Sequence, residues 1–350
     1  MQGDTYRCFC AAAVQAAPVF LDRDASIARL EHWVAKARAS GADLIAFGES
    51  YVPGFPLWNM LYAPIDQHAF YRRLYDHALV LPSPQLDQLA DIARRHQVVV
   101  SVGVTEKSMG TMWNTNLLFD ADGTLLNRHR KLVPTWAEKL TWANGDASNL
   151  RVEQTALAKL GMLICGENTN TLARFALLAQ GEQVHIASYP PAWPVRRPGA
   201  SRNYNLTDAI RIRSAAHAFE GKVFNVVASC ALDEQAISEV SQGDSAVRRI
   251  LTSAPPATSM ILGPQGELLA EPHVGGEGMV VARIDLSLAI EQKQIHDIVG
   301  AYNRFDVFRL TVDQRPNRPI TVIRDDAGSS PGAATDPSPS MDEKPPGAPN

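Results

Sequence analysis

Three segments of this 350-residue chain end a strand-like stretch on a residue that can do chemistry. In LIAFGESYVPGFP, Glu49 directly follows a wholly apolar strand-like stretch. In NRHRKLVPTWAEKLTW, Lys131 follows a second strand-like stretch, and Glu138 stands seven residues further on. In LGMLICGENTNTLARF, an apolar run climbs to Cys165, breaks at Gly166, Glu167 and Asn168, and gives way to a helical pattern. Loop residues positioned by a rigid sheet are the usual home of catalysis. A carboxylate, an ammonium and a thiol together suffice for acyl transfer without histidine. The carboxylate takes the thiol proton. The attacked carbon passes charge to its oxygen or nitrogen, where a fixed ammonium and backbone N–H groups stabilise it. The protonated carboxyl then returns its proton to a leaving nitrogen. This chemistry suits carbon–nitrogen bonds and requires no metal or organic cofactor.

Each of these residues also has a plainer reading. Cys165 could be a small hydrophobe in a core. Set against that, a thiolate at a helix N-terminus is stabilised by the helix dipole and becomes a nucleophile. Glu49 could cap a loop, and Lys131 could be solvated. Cys230 also ends an apolar strand, VFNVVASC, but no helix start follows it, so it reads as structural. Cys8 and Cys10 lie two apart on one predicted strand and cannot bridge without breaking it. There is no C-x-x-C pair and no metal-ligand spacing, so neither a disulfide framework nor a metal site is expected.

The residues around the three segments suggest a substrate pocket. Tyr51, Phe55 and Trp58 follow Glu49, Trp136 follows Lys131, and Tyr189 and Trp193 end the strand after the Cys165 helix. They are either packing aromatics or pocket walls. With Gly166, which removes a side chain beside Cys165, they make up the expected substrate-binding set of a wide, apolar pocket. The loop VRRPGASR, 195–202, reads as exposed or as a rim of that pocket.

The elements that must carry these residues alternate between strand and helix. FCAAAVQAA, DLIAF, VVVSVGV, LGMLIC, QVHIASYP, KVFNVVAS and GMVVARIDL read as strands, and TNLLFDADGTLLNRHRK and TSMILGPQGELLAE as hairpins. Ile27, Leu30, Val34 and Ala37 mark one helical face, ended by Gly41. Residues 56–96 read as two helices about LPSP. Residues 170–180 read as a helix with Leu172, Phe175, Ala176 and Ala179 on one face. TDAIRIRSAAHAFEG reads as a helix capped by Thr207 and closed by Gly221. The polar stretch 233–256 reads as an insertion at a subunit contact or a mobile loop. The class is α/β, with parallel crossovers and antiparallel hairpins. Residues 5–320 form one expected domain. From 325 to 350, Pro, Ser, Gly and Ala dominate, which predicts a disordered tail.

Bulk properties exclude other functions. A net charge of −4 offers no basic face to nucleic acid. No apolar run is long enough to span a bilayer. CFCAAAVQAAPVFL is interrupted by Gln15 and Pro18 and followed by Asp22, so it reads as a first strand rather than a secretory signal. A cytoplasmic protein is expected.

In order, the three segments resemble the signatures of the nitrilase, or carbon–nitrogen hydrolase, superfamily. AAVQAAPVFLD resembles that family's first strand. RKLVPTWAEKLTWANGD resembles the lysine segment of true nitrilases, including Glu138 and Trp142. GENTNTLARFALLAQGEQVHIASYPPAWP resembles the stretch after the nucleophile, and HDIVGAYNRFDVFRL the closing segment. The resemblance covers roughly residues 5–312. It implies a four-layer αββα sandwich with catalytic Glu49, Lys131 and Cys165 between sheet edges, and Glu138 holding Lys131 or positioning substrate and water. It implies pairing into an αββα–αββα homodimer, the building block of larger spirals or filaments. The substrate it implies is a small nitrile, converted to the carboxylic acid and ammonia through a cysteine thioimidate and thioester. Aryl or medium alkyl nitriles are the expected preference. An amidase, a carbamoylase or an amide-forming, nitrile-hydrating enzyme is the alternative. Two departures stand out: Gly166 where many nitrilases carry Trp, and Ala301 and Phe305 where many carry His and Pro.

Overall fold

The computed structural model describes residues 6–193, 204–317 and 320. The predicted tail, 325–350, and the loop 195–202 lie outside the described residues. The chain up to Pro316 forms one compact unit, and a second begins at Asn317.

Short apolar runs bounded by turns become strands buried on both faces. Five come first: β1 (Cys8–Gln15), β2 (Leu44–Ala46), β3 (Val99–Ser108), β4 (Thr111–Phe119) and β5 (Leu125–Arg130). Six follow: β6 (Glu153–Gln154), β7 (Lys159–Ile164), β8 (Val184–Tyr189), β9 (Phe224–Ser229), β10 (Thr258–Leu262) and β11 (His273–Val274). The last, β12 (Gly278–Asp285), returns to the first set and pairs with β1. Two six-stranded sheets result, in the orders β12-β1-β2-β3-β4-β5 and β11-β10-β9-β8-β7-β6. In each, three central strands run parallel, β1-β2-β3 in one and β7-β8-β9 in the other.

The helices are α1 (Arg23–Ala39), α2 (His68–His77), α3 (Pro84–His96), α4 (Thr171–Leu178), α5 (Leu206–Gly221), α6 (Glu234–Ser241), α7 (Ser245–Ser253) and α8 (Leu288–Ile295). The expected face of α1, Ile27, Leu30, Val34 and Ala37, packs with Leu89, Ile92 and Ala93 of α3 on Ile45, Val100 and Val102 of the first sheet. The inner faces of the two sheets meet, Ala11, Ala13, Leu44 and Ala46 against Leu160, Met162, Ile186 and Val226. Leu206, Ile210 and Ala218 of α5 cover the outer face of the second sheet at Val227, Met260 and Leu262. The layers are therefore helix, sheet, sheet and helix, the expected αββα sandwich.

Local details depart from expectation. The N-cap of α5 is Asn205, whose side chain accepts from Asp208 N, and Lys222 rather than Gly221 takes the left-handed closing position. Helix α4 turns Ala173, Ala176 and Leu177 inward and leaves Leu172 62% exposed, because Leu150 and Leu163 meet it on a side that shares only Ala176 with the stripe read from sequence. The polar stretch 233–256 is two short helices, each started by an aspartate cap, Asp233 for α6 and Asp244 for α7. No helix among the described residues is long and apolar enough to cross a membrane.

Candidate active site

The ends of β2, β5 and β7 converge. Beyond β2, the Glu49 N–H donates to Tyr189 O at the end of β8, 3.0 Å away, tying one sheet to the other. Only glycine fits just before it, since a Cβ on Gly48 would lie 2.4 Å from Cys230 N. Beyond β5, the Lys131 N–H donates to Asn114 O at 2.8 Å. Glu138 lies on a single 3₁₀ turn, Trp136–Leu140, and its side chain reaches back to cap the start of that turn. Its Oε2 accepts from the Thr135 N–H at 2.9 Å. Beyond β7, Cys165 opens a second 3₁₀ turn, Cys165–Thr169.

Lys131 Nζ donates to Glu49 Oε1 at 2.7 Å and to Glu138 Oε2 at 2.6 Å. Asn114 Nδ2 also donates to Glu49 Oε1, at 2.7 Å. Cys165 Sγ and one carboxylate oxygen from each of Glu49 and Glu138 lie within 4.8 Å of one another. That spacing could suit a metal ion, but the Lys131 ammonium already bonds both carboxylates and supplies the positive charge. All four side chains are buried. The second oxygens, Glu49 Oε2 and Glu138 Oε1, have no protein partner and remain available to a substrate or water.

Burial and the neighbouring Glu49 charge push the Cys165 thiol well above its ordinary range, while Lys131 and Arg213 pull the other way. The resting group is a thiol that needs a base. This corrects the helix-dipole expectation: α4 begins only at Thr171, and Cys165 sits on a separate turn. Burial raises Glu138 to about 7, against the pull of Lys131. Burial alone would lower Lys131, but the two carboxylates outweigh it and hold the ammonium charged.

The expected pocket aromatics divide. Phe55, Trp58, Tyr189 and Trp193 share one buried cluster with Cys165, and Phe55 touches Trp193 at 6.1 Å between ring centres. Tyr51 does not join them. It packs on the α1 side of the first sheet against Phe47, and its hydroxyl donates to Ala17 O. Trp136 is 63% exposed and lines an outer cavity of about 280 Å³ with Val133, Lys139 and Gly166. Gly166 does not enlarge the interior, since a Cβ there would meet Thr135 Oγ1 at 2.7 Å. Phe305 is exposed and lies with Phe308 and Leu310 against α4, in a cavity that the catalytic set does not line.

Trp142, named from the sequence only as part of the lysine segment, joins the same cluster, 5.6 Å from Phe55, and the roles of further site residues escaped the sequence reading. The indole N–H groups of Trp58 and Trp142 are buried without a protein partner, so the walls carry donors as well as apolar surface. Half-buried Arg213 on α5 donates to Tyr204 Oη at 2.7 Å, and its charge favours the Cys165 thiolate. Glu167 ties the cysteine turn to the lysine strand, accepting from Ile164 N at 2.9 Å and Leu132 N at 2.8 Å and pairing with His129 Nε2 at 2.9 Å. The capping pattern around Glu138 was the one local signal available, because Asn114, Arg213 and His129 come from distant elements.

A family profile described as carbon-nitrogen hydrolase matches residues 10–294. This chain belongs to the carbon–nitrogen hydrolase family. Within that family it falls in the nitrilase branch. It is 35% identical over 313 residues to a nitrilase from Paraburkholderia phymatum, covering 89% of each chain. It is 35% identical over 318 residues to an aliphatic nitrilase from Rhodococcus rhodochrous, covering 90% of this chain and 85% of that one. The crystal structure of a carbon–nitrogen hydrolase from Helicobacter pylori G27 shares the fold, with a TM-score of 0.64 at 18% identity over 83% of this chain and 93% of that one. This carbon–nitrogen hydrolase is thus a hydrolase of carbon–nitrogen bonds other than peptide bonds.

Proposed function

We propose that this carbon–nitrogen hydrolase is a nitrilase, converting R–C≡N and two waters to a carboxylic acid and ammonia. The observation that carries the reading is the Lys131 ammonium bridging Glu49 and Glu138 beside the Cys165 thiol. Glu49 takes the Sγ proton as sulfur bonds the nitrile carbon, and passes it to the nitrile nitrogen, giving a thioimidate. Glu49 then deprotonates a water as it adds to that carbon. Lys131 holds the developing oxyanion. Protonated Glu49 delivers its proton to nitrogen, the adduct's hydroxyl then gives up its own proton, relayed by Glu49 to the same nitrogen, and as the C=O forms the C–N bond breaks, ammonia leaves and a thioester remains. A second water, again deprotonated by Glu49, cleaves the C–S bond, and the proton returns to sulfur. Glu138 keeps Lys131 aimed. No step calls on a metal or cofactor.

Phe55, Trp58, Trp142, Tyr189 and Trp193 form the substrate pocket and favour aryl and medium alkyl nitriles. A panel of such nitriles and the matching amides, read by ammonia release and chromatography, tests the function. Acid and ammonia in equal amounts are expected. Conversion of amides with none of nitriles would replace the reading with an amidase, and amide as main product would mean that C–S cleavage outruns C–N cleavage.

Glu138 also sets a pH dependence. Burial holds it near 7 in the free enzyme, so it gains its proton as pH falls below that value, and kcat/KM reports the free enzyme. We expect kcat/KM to fall on the acid side with an apparent pKa near 7, as protonated Glu138 loosens its hold on Lys131. In Glu138→Gln that limb should disappear. A limb that stays in place in Glu138→Gln would assign it elsewhere.

Exposed apolar residues on the outer helices support a paired assembly. Leu172 on α4 and Ile212 and Phe219 on α5 are apolar and 62%, 68% and 45% exposed. Pairing of two copies across this layer gives an αββα–αββα homodimer, which extends into a spiral or filament. The described cysteines are all free thiols, which suits the reducing cytoplasm.

A further inference from the structure

Behind the nucleophile lies a buried polar chain that the reaction scheme does not use. Cys165 has a φ of 50°, a left-handed conformation that a non-glycine residue holds only where its surroundings over-determine it. Asn168 closes that turn. Its Nδ2 donates to Leu163 O at 3.3 Å and to Cys165 O at 3.1 Å. These two bonds fix the amide, so its Oδ1 faces away and meets His185 Nε2 at 2.9 Å. His185 Nδ1 meets Glu182 Oε1 at 2.7 Å, and the other oxygen, Oε2, meets His217 Nε2 at 2.7 Å. All four side chains are buried.

The hydrogen-bond inventory sets the protons. Both ring nitrogens of His185 face acceptors, so both carry hydrogen and the ring is an imidazolium. Burial raises Glu182, but His185 and His217 outweigh it and hold the carboxyl at about 2, so it is the matching anion. Burial lowers His217 to about 4, which leaves it neutral, giving its Nε2 proton to Glu182. The three residues are close enough to hold a metal ion, but both carboxylate oxygens are already taken by the rings. The sheet makes room for this pair: a Cβ on Gly161 would come within 1.9 Å of Glu182 Oε1.

We propose that His185, anchored by Glu182, is a positioning residue for the nucleophile, fixing the Cys165 turn through Asn168 so that Sγ stays aimed at Glu49 and Lys131. The proposal rests on Cys165 being the nucleophile. It gives a job to a charged pair that would otherwise be a costly burial.

The test measures kcat and KM on an aryl nitrile, the rate of Cys165 alkylation by iodoacetamide, and the thermal midpoint, in Asn168→Ala, His185→Leu and His185→Gln. For the first two, kcat per titrated thiol should fall about tenfold to a hundredfold, the usual result of slight misplacement. KM should stay within about threefold, since substrate binding is untouched. Alkylation should slow in parallel. Glutamine can place an N–H where Nε2 stood, so His185→Gln should regain most of kcat and of the alkylation rate. Should Asn168→Ala not fold, the near-isosteric Asn168→Asp, which faces two carbonyls with a carboxylate, should show the same loss. Wild-type kcat and alkylation in folded Asn168→Ala or His185→Leu, or a lowered thermal midpoint alone, would overturn the proposal. So would a His185→Gln no better than His185→Leu. Alkylation is read without any nitrile, so failure of the nitrilase reading leaves this readout intact.

Discussion

Cys165→Ala should lose turnover by about four orders of magnitude or more, the scale on which removal of a covalent nucleophile is felt, whereas Cys230→Ala should keep most of it. Both thiols are buried and both are pushed up by burial and by Glu49. Only Cys165 has Lys131 and Arg213 pulling toward the thiolate. Cys230 sits behind the catalytic glutamate, its Sγ donating to the Glu49 carbonyl at 3.4 Å. Truncating it removes packing beneath Gly48 and leaves the reacting side untouched. Turnover by Cys165→Ala, in protein shown to be free of wild type, would end the assignment.

Lys131→Gln should lose about two to three orders of magnitude in kcat, the usual loss of an oxyanion-type donor. It should also cost stability, which a solvated lysine would not. Lys131 is buried and is the cation between Glu49 and Glu138. Without it, two carboxylates share a buried site, and breaking such a pairing costs about 3–5 kcal/mol. The carboxylates can relieve this by taking up a proton, which raises the pH at which they ionise. A group whose folded pKa is raised stabilises the protein at low pH and loses that contribution as pH rises through the raised value. The thermal midpoint of Lys131→Gln should therefore fall most at alkaline pH and recover as pH is lowered. Near wild-type kcat together with an unchanged midpoint would show that Lys131 is dispensable.

Glu49, Lys131 and Cys165 were readable because each follows a strand-like stretch, and the two packed sheets bring the ends of those strands together. Glu138 was picked out by the resemblance of its segment to the lysine segment of nitrilases, and one 3₁₀ turn after Pro134 returns the chain to Lys131. Nearness along the chain was a poor guide to the pocket. Tyr51 is two residues from Glu49 but points to the opposite face of its sheet. Trp136 is two residues from Glu138, yet with a φ of 46° it turns outward. The residues that hold the site together were not readable, because Asn114 with Glu49, His129 with Glu167 and His185 with Asn168 pair across different elements. Helices α6 and α7 were missed because each is short, 8 and 9 residues, and the apolar pairs four apart that they bury, Ala236 with Val240 and Val247 with Leu251, were not read behind their aspartate caps.

The central claim is that nitrile carbon becomes bonded to Cys165 and leaves as acid. The most direct measurement is mass spectrometry of protein quenched with acid during turnover of an aryl nitrile, with the adduct mapped by peptide and ammonia counted in the same samples. The account predicts a thioimidate or thioester on the peptide bearing Cys165, its decay matched by release of acid and ammonia. Turnover with Cys165 unmodified throughout, or with the adduct on Cys230, would contradict it.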